Sequence, residues 1–115
     1  MPPDDASLLL DMLVAARQAR KHVEGLSLPQ YYADEVRHDA VIYQVQIIGE
    51  AASRVSAVFQ DQHPEIPWVD IIGMRHRLVH DYRGVNRDIV WSTVQDALPQ
   101  LIATLEGLVQ PEPEE

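Results

Sequence analysis

Apolar residues recur at intervals of three and four through most of the chain, which places them on one face of an α-helix. Four segments show this spacing, at about residues 6–23, 27–60, 67–82 and 87–109, and none shows the alternation of a half-buried strand. Because short connections join these long segments, the pattern predicts an all-α, up-and-down antiparallel bundle of four main helices.

Capping and breaking residues mark the ends of the predicted helices. Gly25 ends the first helix, Ser27 caps the second, and Asn86 caps the fourth. Pro99 lies inside the fourth helix and predicts a kink there. The second helix can break near Ala33–Asp34 before it continues to about residue 60. Its expected core face is Val36, Ala40, Tyr43, Ile47, Ala51, Val55 and Val58 or Phe59.

The chain has 115 residues, which is enough for one domain with one hydrophobic core. We expect residues 1–109 to form a single helical domain and residues 110–115 to be an acidic disordered tail. There is no cysteine, and no apolar run approaches the roughly 20 residues that span a bilayer. The first residues carry acids where a signal peptide carries bases, so we expect a cytoplasmic protein without membrane contact.

The charge distribution is uneven. A net charge of −9 argues against nucleic-acid binding, because contacts with phosphates need cations. Four of the nine basic residues and two histidines nevertheless lie within thirteen positions: Arg75, His76, Arg77, His80, Arg83 and Arg87. This local cluster predicts a basic site on an acidic body. Arg77, Arg83 and Arg87 are expected to be solvated residues that assist the approach of RNA.

Arg75 and His80 have the chemistry that RNA cleavage requires. RNA carries its own nucleophile, the 2′-hydroxyl, so a protein needs a group that moves a proton and a cation that holds the phosphate. Histidine suits the first task, and arginine suits the second. Five helical residues correspond to about 140° of rotation. Either the helix therefore ends before His80, or two copies of the chain contribute to one cleft.

The pattern Arg75-x-x-x-x-His80-x-Tyr82 resembles the signature of the HepT-like HEPN ribonuclease toxins. These toxins are paired with MNT-type minimal nucleotidyltransferase antitoxins. The similarity continues at residues 47–52, 63–68, 71–75, 84–86 and 89–91, in the family's order, and covers most of residues 34–101.

The resemblance implies a homodimeric HEPN bundle and an endoribonuclease that uses neither a metal nor another cofactor. It implies that Arg75 and His80 are catalytic and line a cleft between subunits. It also implies that the partner enzyme transfers AMP to Tyr82 and thereby silences the toxin, as in a type VII-like toxin–antitoxin system. An AMP near His80 would place a bulky anion at the site. His76 stands where the family commonly has a polar residue.

Several candidate residues have a structural alternative. His80 could be a surface or helix-end histidine, and Arg75 could form a salt bridge with Glu50 or Asp70. Tyr82 lies on the apolar stripe of its helix and could be a core or interface residue. His76, Arg77 and Glu50 remain candidates for supporting roles.

Two further features leave alternatives open. His76 and His80 have the spacing of zinc ligands on a helix, but no glutamate follows His76 and no third ligand is evident. Gly73 inside a helix costs about 1 kcal/mol relative to alanine, which predicts close approach of another helix, within the chain or across a dimer.

Besides a ribonuclease, the chain could be a non-catalytic module that partners a nucleotidyltransferase, or a purely structural dimeric bundle.

Overall fold

Seven helices make up the computed structural model, which describes residues 3–81 and 84–109. They are α1 Pro3–Val23, α2 Leu28–Ala33, α3 Glu35–Arg54, α4 Ala57–Gln62, α5 Trp68–His80, α6 Arg87–Ser92 and α7 Leu98–Leu108. A π-helical turn, Thr93–Ala97, joins α6 to α7. The described residues contain no strand, so the all-α prediction is confirmed.

The long helix α1 lies antiparallel to α3 and to α7. Its start meets the end of α3 at Ser56, and its end meets the start of α3, where Arg37 donates to the His22 carbonyl over 3.0 Å. Against α7, Arg17 of α1 pairs with Glu106 at 2.8 Å. The face of α1 that enters the core includes Leu9, Met12, Leu13, Ala16 and Ala19, which recur at helical spacing. α5 packs on α3 and completes the bundle.

The second predicted segment is divided into three helices. The break at Asp34 is confirmed, and Asp34 caps α3 by accepting the Arg37 amide over 3.0 Å. A continuous helix to about residue 60 is wrong, because the backbone is extended at Val55 and α4 begins after Ser56. Asp5 of α1 causes this arrangement, since its buried carboxylate accepts the Ser56 amide at 2.9 Å and hydroxyl at 2.6 Å. These two hydrogen bonds lower the pKa of Asp5.

The predicted core face is wrong at Val36 and Tyr43 of α3, whereas Ile47 packs against the core from a partly buried position. Val36 is 79% exposed and Tyr43 is 62% exposed, and on α4 Val58 is 68% exposed. Ala51, Val55 and Phe59 are buried as expected. The buried residues of α3 are His38, Val41, Ile42, Val45, Ile48, Gly49, Ala51 and Ala52.

The fourth predicted segment accommodates Pro99 through the π-helical turn. Asn86 caps α6 as predicted, accepting the amides of Asp88 and Ile89. The Leu98 amide donates to Thr93, one residue further back than in an α-helix, and Pro99 has no amide to donate. The carbonyl of Val94 instead accepts from Arg20 of α1 at 3.3 Å.

Three predictions fall on residues that the structure does not describe. They are the tail, residues 110–115, the candidate AMP acceptor Tyr82 and the predicted solvated residue Arg83. Within the described residues, no helix combines the length and the apolar character that crossing a membrane requires.

Candidate functional site

The helix α5 carries four of the candidate residues. It starts at Trp68, as predicted, and continues through His80, where the Asp81 amide donates to the Arg77 carbonyl at 2.9 Å. The alternative in which the helix ends before His80 is therefore wrong. Arg75 and His80 lie on one helix and leave it about 140° apart.

His80 lies on an exposed stripe of α5. Val69, Gly73, His76 and His80 follow one another at helical spacing, and Val69 is 84% exposed. The rings of His76 and His80 are almost parallel, with their centroids 6.1 Å apart. Arg77 is exposed at the edge of the same stripe. The structure therefore brings the two histidines together on a surface that residues 3–81 and 84–109 leave uncovered.

No packing contact among the residues that the structure describes explains Gly73. A Cβ atom built on Gly73 meets no heavy atom within 4 Å. Close approach of another helix of the same chain is therefore wrong as the reason for this glycine. The other alternative, a contact across a dimer, remains a prediction.

Arg75 points into a groove between α1, α3 and α5 with a volume of about 350 Å³. Tyr43 and Arg54 of α3 line the groove, and Val79 lies beside Arg75 on α5. The predicted ion pair with Glu50 is confirmed, with Arg75 Nη2 at 2.8 Å from Glu50 Oε2. The ion pair does not exclude phosphate binding, because the groove is open to solvent and the guanidinium has further donors.

Gly49 is a residue of this site that the sequence patterns did not indicate. A Cβ atom on Gly49 would overlap the Cβ of Arg75 and lie 3.2 Å from the Ile71 carbonyl oxygen. α5 therefore crosses α3 at Gly49, with the base of Arg75 directly over the glycine. The available signal was a glycine inside a long helix next to Glu50.

A second missed feature connects α2, α3 and α6. Buried Tyr31 and His38 share a hydrogen bond between the tyrosine hydroxyl and His38 Nδ1, and Tyr31 also packs on Trp91. Burial, followed by the charge of Arg87, lowers the pKa of His38, which favours its neutral form. This cluster packs α2 and α3 against Trp91 near the end of α6.

Arg87 differs from its predicted role as a solvated residue. It donates to the Tyr32 carbonyl over 3.0 Å and lies 3.8 Å from Glu35, so it joins α6 to α2 and α3. Arg83 lies outside the described residues. Among residues 3–81 and 84–109, no three histidine, aspartate or glutamate side chains are grouped to hold a metal ion.

Comparison with known proteins identifies the family. The family model described as "Ribonuclease HepT-like" matches residues 12–108. The chain belongs to the HepT-like ribonuclease family.

Similar proteins include "Putative RNase" of Caldanaerobacter subterraneus, 35% identical over 80% of this chain and 82% of that protein. "Probable ribonuclease HepT" of Thermococcus cleftensis is 33% identical over 87% of this chain and 91% of its own length. A "Putative RNase" of Methanocaldococcus jannaschii is 27% identical over 96% of this chain and 92% of its own length. No solved structure matches the chain.

Proposed function

We propose that this HepT-like protein is an endoribonuclease toxin that cleaves RNA without a metal ion, in a cleft between two copies of the chain. Arg75 and His80 are its catalytic residues. The observation that carries the proposal is the placement of these two residues on α5, the arginine in an open groove and the histidine on an exposed stripe. The names of the similar proteins support RNA as the substrate.

A homodimer follows from the directions of the two side chains. Because they leave α5 about 140° apart, one straight helix does not bring both over one phosphodiester. A second copy can supply the missing partner if α5 lies at the interface. Tyr43 and Val79 line the Arg75 groove, and Val69 and Gly73 lie on the neighbouring histidine stripe; we name these four residues together the α3–α5 face. Its exposed apolar side chains and its unexplained glycine support its role as the contact between copies.

The proposed reaction is transfer of the phosphate within the RNA. The imidazole of His80 accepts the proton of a 2′-hydroxyl, whose oxygen attacks the adjacent phosphorus. The bond from phosphorus to the 5′-oxygen breaks, and the protonated His80 returns its proton to that oxygen, so each site needs one arginine and one histidine. Arg75 stabilises the negative charge that grows on the phosphate oxygens. The exposed His76 and Arg77 support binding of the RNA, and Glu50 supports Arg75.

We further propose that an MNT-type nucleotidyltransferase silences the toxin by transferring AMP to Tyr82, in the cytoplasm, where its RNA substrate is found. Tyr82 follows His80 by two residues in the sequence. An AMP group there adds a negative charge and a nucleotide close to the proposed catalytic histidine, which would compete with RNA. The two proteins would then form a type VII-like toxin–antitoxin pair.

Incubation of the purified protein with RNA in the presence of EDTA tests the ribonuclease proposal. We expect the wild type to cleave the RNA and His80→Ala to lower the rate by about 10²- to 10⁴-fold. His22→Ala is the matched control, since His22 lies in the last turn of α1 and outside the site, and its rate should stay at the wild-type value.

Absence of cleavage by the wild type would contradict the proposal, provided that the intact mass shows an unmodified Tyr82. Such a result would favour a non-catalytic module that partners a nucleotidyltransferase. Cleavage that disappears with EDTA and returns with added Mg²⁺ would contradict the metal-independent mechanism.

A further inference from the structure

Two consecutive residues of α3 contact Arg75: Gly49 lies against the base of its side chain, and Glu50 pairs with its guanidinium. Gly49 is buried, and its missing side chain makes room for the base of Arg75: an added Cβ would overlap the Arg75 Cβ and lie 3.1 Å from its Cγ. Two other helical glycines, Gly73 and Gly107, have no heavy atom within 4 Å of such a Cβ. Of these three helical glycines, only Gly49, which lies against Arg75, marks a close approach of two helices.

The next residue, Glu50, contacts the other end of the same side chain. Its Oε2 lies 2.8 Å from Arg75 Nη2, and the two side chains are 50% and 29% exposed. An ion pair with this exposure contributes little to stability, because water screens it. The ion pair matters more for the direction of the Arg75 guanidinium than for stability, since an unrestrained arginine side chain populates many rotamers.

The ion pair leaves part of the guanidinium available. A guanidinium has five N–H donors, and the contact with Glu50 joins one carboxylate oxygen to one terminal nitrogen. The remaining donors can reach a phosphate in the open groove. Glu50 therefore restrains the direction of the guanidinium and does not occupy its whole donor set.

We infer that Gly49 and Glu50 are positioning residues for Arg75. Gly49 sets the close crossing of α3 and α5 from which the side chain starts, and Glu50 holds the guanidinium in the groove before RNA binds. This inference rests on the proposed ribonuclease function. Orientation of a catalytic group before the substrate arrives raises kcat, and a displacement of about 1 Å can lower it about 100-fold.

Substitutions at the exposed Glu50 test the inference with little risk to folding. We expect Glu50→Ala to lower kcat for RNA cleavage about tenfold and to leave KM close to the wild-type value. Glu50→Gln keeps an oxygen that accepts from Arg75, so its kcat should stay within about twofold of the wild type. Gly49→Ala should lower kcat about 100-fold, whereas the control Gly107→Ala should keep the wild-type kcat.

NMR of the Arg75 side chain gives a readout that does not need cleavage. Restrained rotation in the wild type should give resolved Nη signals, which Glu50→Ala should average to one. Averaged signals in the wild type, or wild-type kcat in both Glu50→Ala and Gly49→Ala, would overturn the inference while the ribonuclease function stands. Absence of cleavage by the wild type would instead reject the proposed function, and the positioning role for cleavage with it.

Discussion

At the scale of single residues, one buried carboxylate holds the junction where α3 ends and α4 begins. Asp5 lies in the first turn of α1, where the helix dipole interacts favourably with a negative charge. Its side chain also holds the amide and hydroxyl of Ser56, fifty-one residues further along the chain. The same hydroxyl caps α4 by accepting the Phe59 amide at 3.2 Å. Asp5 thus fixes α1 to the junction of α3 and α4.

Asp5→Ala should lower the free energy of unfolding by about 1–3 kcal/mol, because the Ser56 amide loses its partner in a partly buried place. Asp4→Ala is the matched control, since Asp4 shares the first turn of α1 but is exposed. Its effect should stay within about 0.5 kcal/mol. Urea unfolding of both variants measures the difference, and equal losses would contradict the assigned role of Asp5.

The same substitution has a predicted pH dependence. The hydrogen bonds from Ser56 lower the pKa of Asp5 in the folded state below its ordinary value of 3.8. The contribution of Asp5 is therefore fully present above pH 3.8 and is lost as the pH falls through the lowered pKa. The stability difference between wild type and Asp5→Ala should shrink in that acidic range.

At the scale of helices, the π-helical turn resolves the conflict that Pro99 creates. The turn leaves the Val94 carbonyl to Arg20, which also donates to the Gln95 side chain at 2.9 Å. The interruption is therefore connected to α1 and not only to its own helix. Such turns are frequent at functional sites, but no residue of this one lines the Arg75 groove, so we assign it a structural role.

Arg20→Met should destabilise the fold by about 1–3 kcal/mol, because it removes the donor to the Val94 carbonyl. Lys21→Met is the matched control on the adjacent, exposed position of α1, with an expected change within about 0.5 kcal/mol. Chemical unfolding followed by circular dichroism measures both. A loss for Arg20→Met no larger than that for Lys21→Met would contradict the importance of this contact.

The helices show which features the sequence could predict. Gly25 and Asn86 act through neighbouring residues, so the helix ends that they determine were predictable. Val36 and Tyr43 have helical spacing but lie on the exposed side of α3, because its orientation depends on packing with α1. The break before α4 depends on Asp5, which no local pattern connects to Ser56.

The candidate site was predictable to the same extent. The identities of Arg75 and His80 and their common helix came from a short motif. The close crossing at Gly49 is a tertiary contact between α3 and α5, which spacing along one helix does not contain. The exposure of the stripe was also not predictable, because the residue types at Val69 and Gly73 do not show whether another helix covers them.

At the scale of the whole molecule, a contact with a second copy through the α3–α5 face would explain why an apolar residue expected in the core is exposed. Helical spacing indicates an apolar face but not what covers it. Tyr43 was expected in the core, and it is 62% exposed among the residues that the structure describes. A second copy packed on this face would bury these side chains and bring the groove of one chain towards the histidines of the other.

The central claim is that one copy supplies the arginine and the other the histidine of each site. Dimers that contain one Arg75→Ala subunit and one His80→Ala subunit, isolated through two different tags, test it most directly. In such a dimer one of the two shared sites keeps both side chains, so RNA cleavage in EDTA should recover to about half of the wild-type rate. Cleavage no faster than that of either mutant homodimer would contradict the claim.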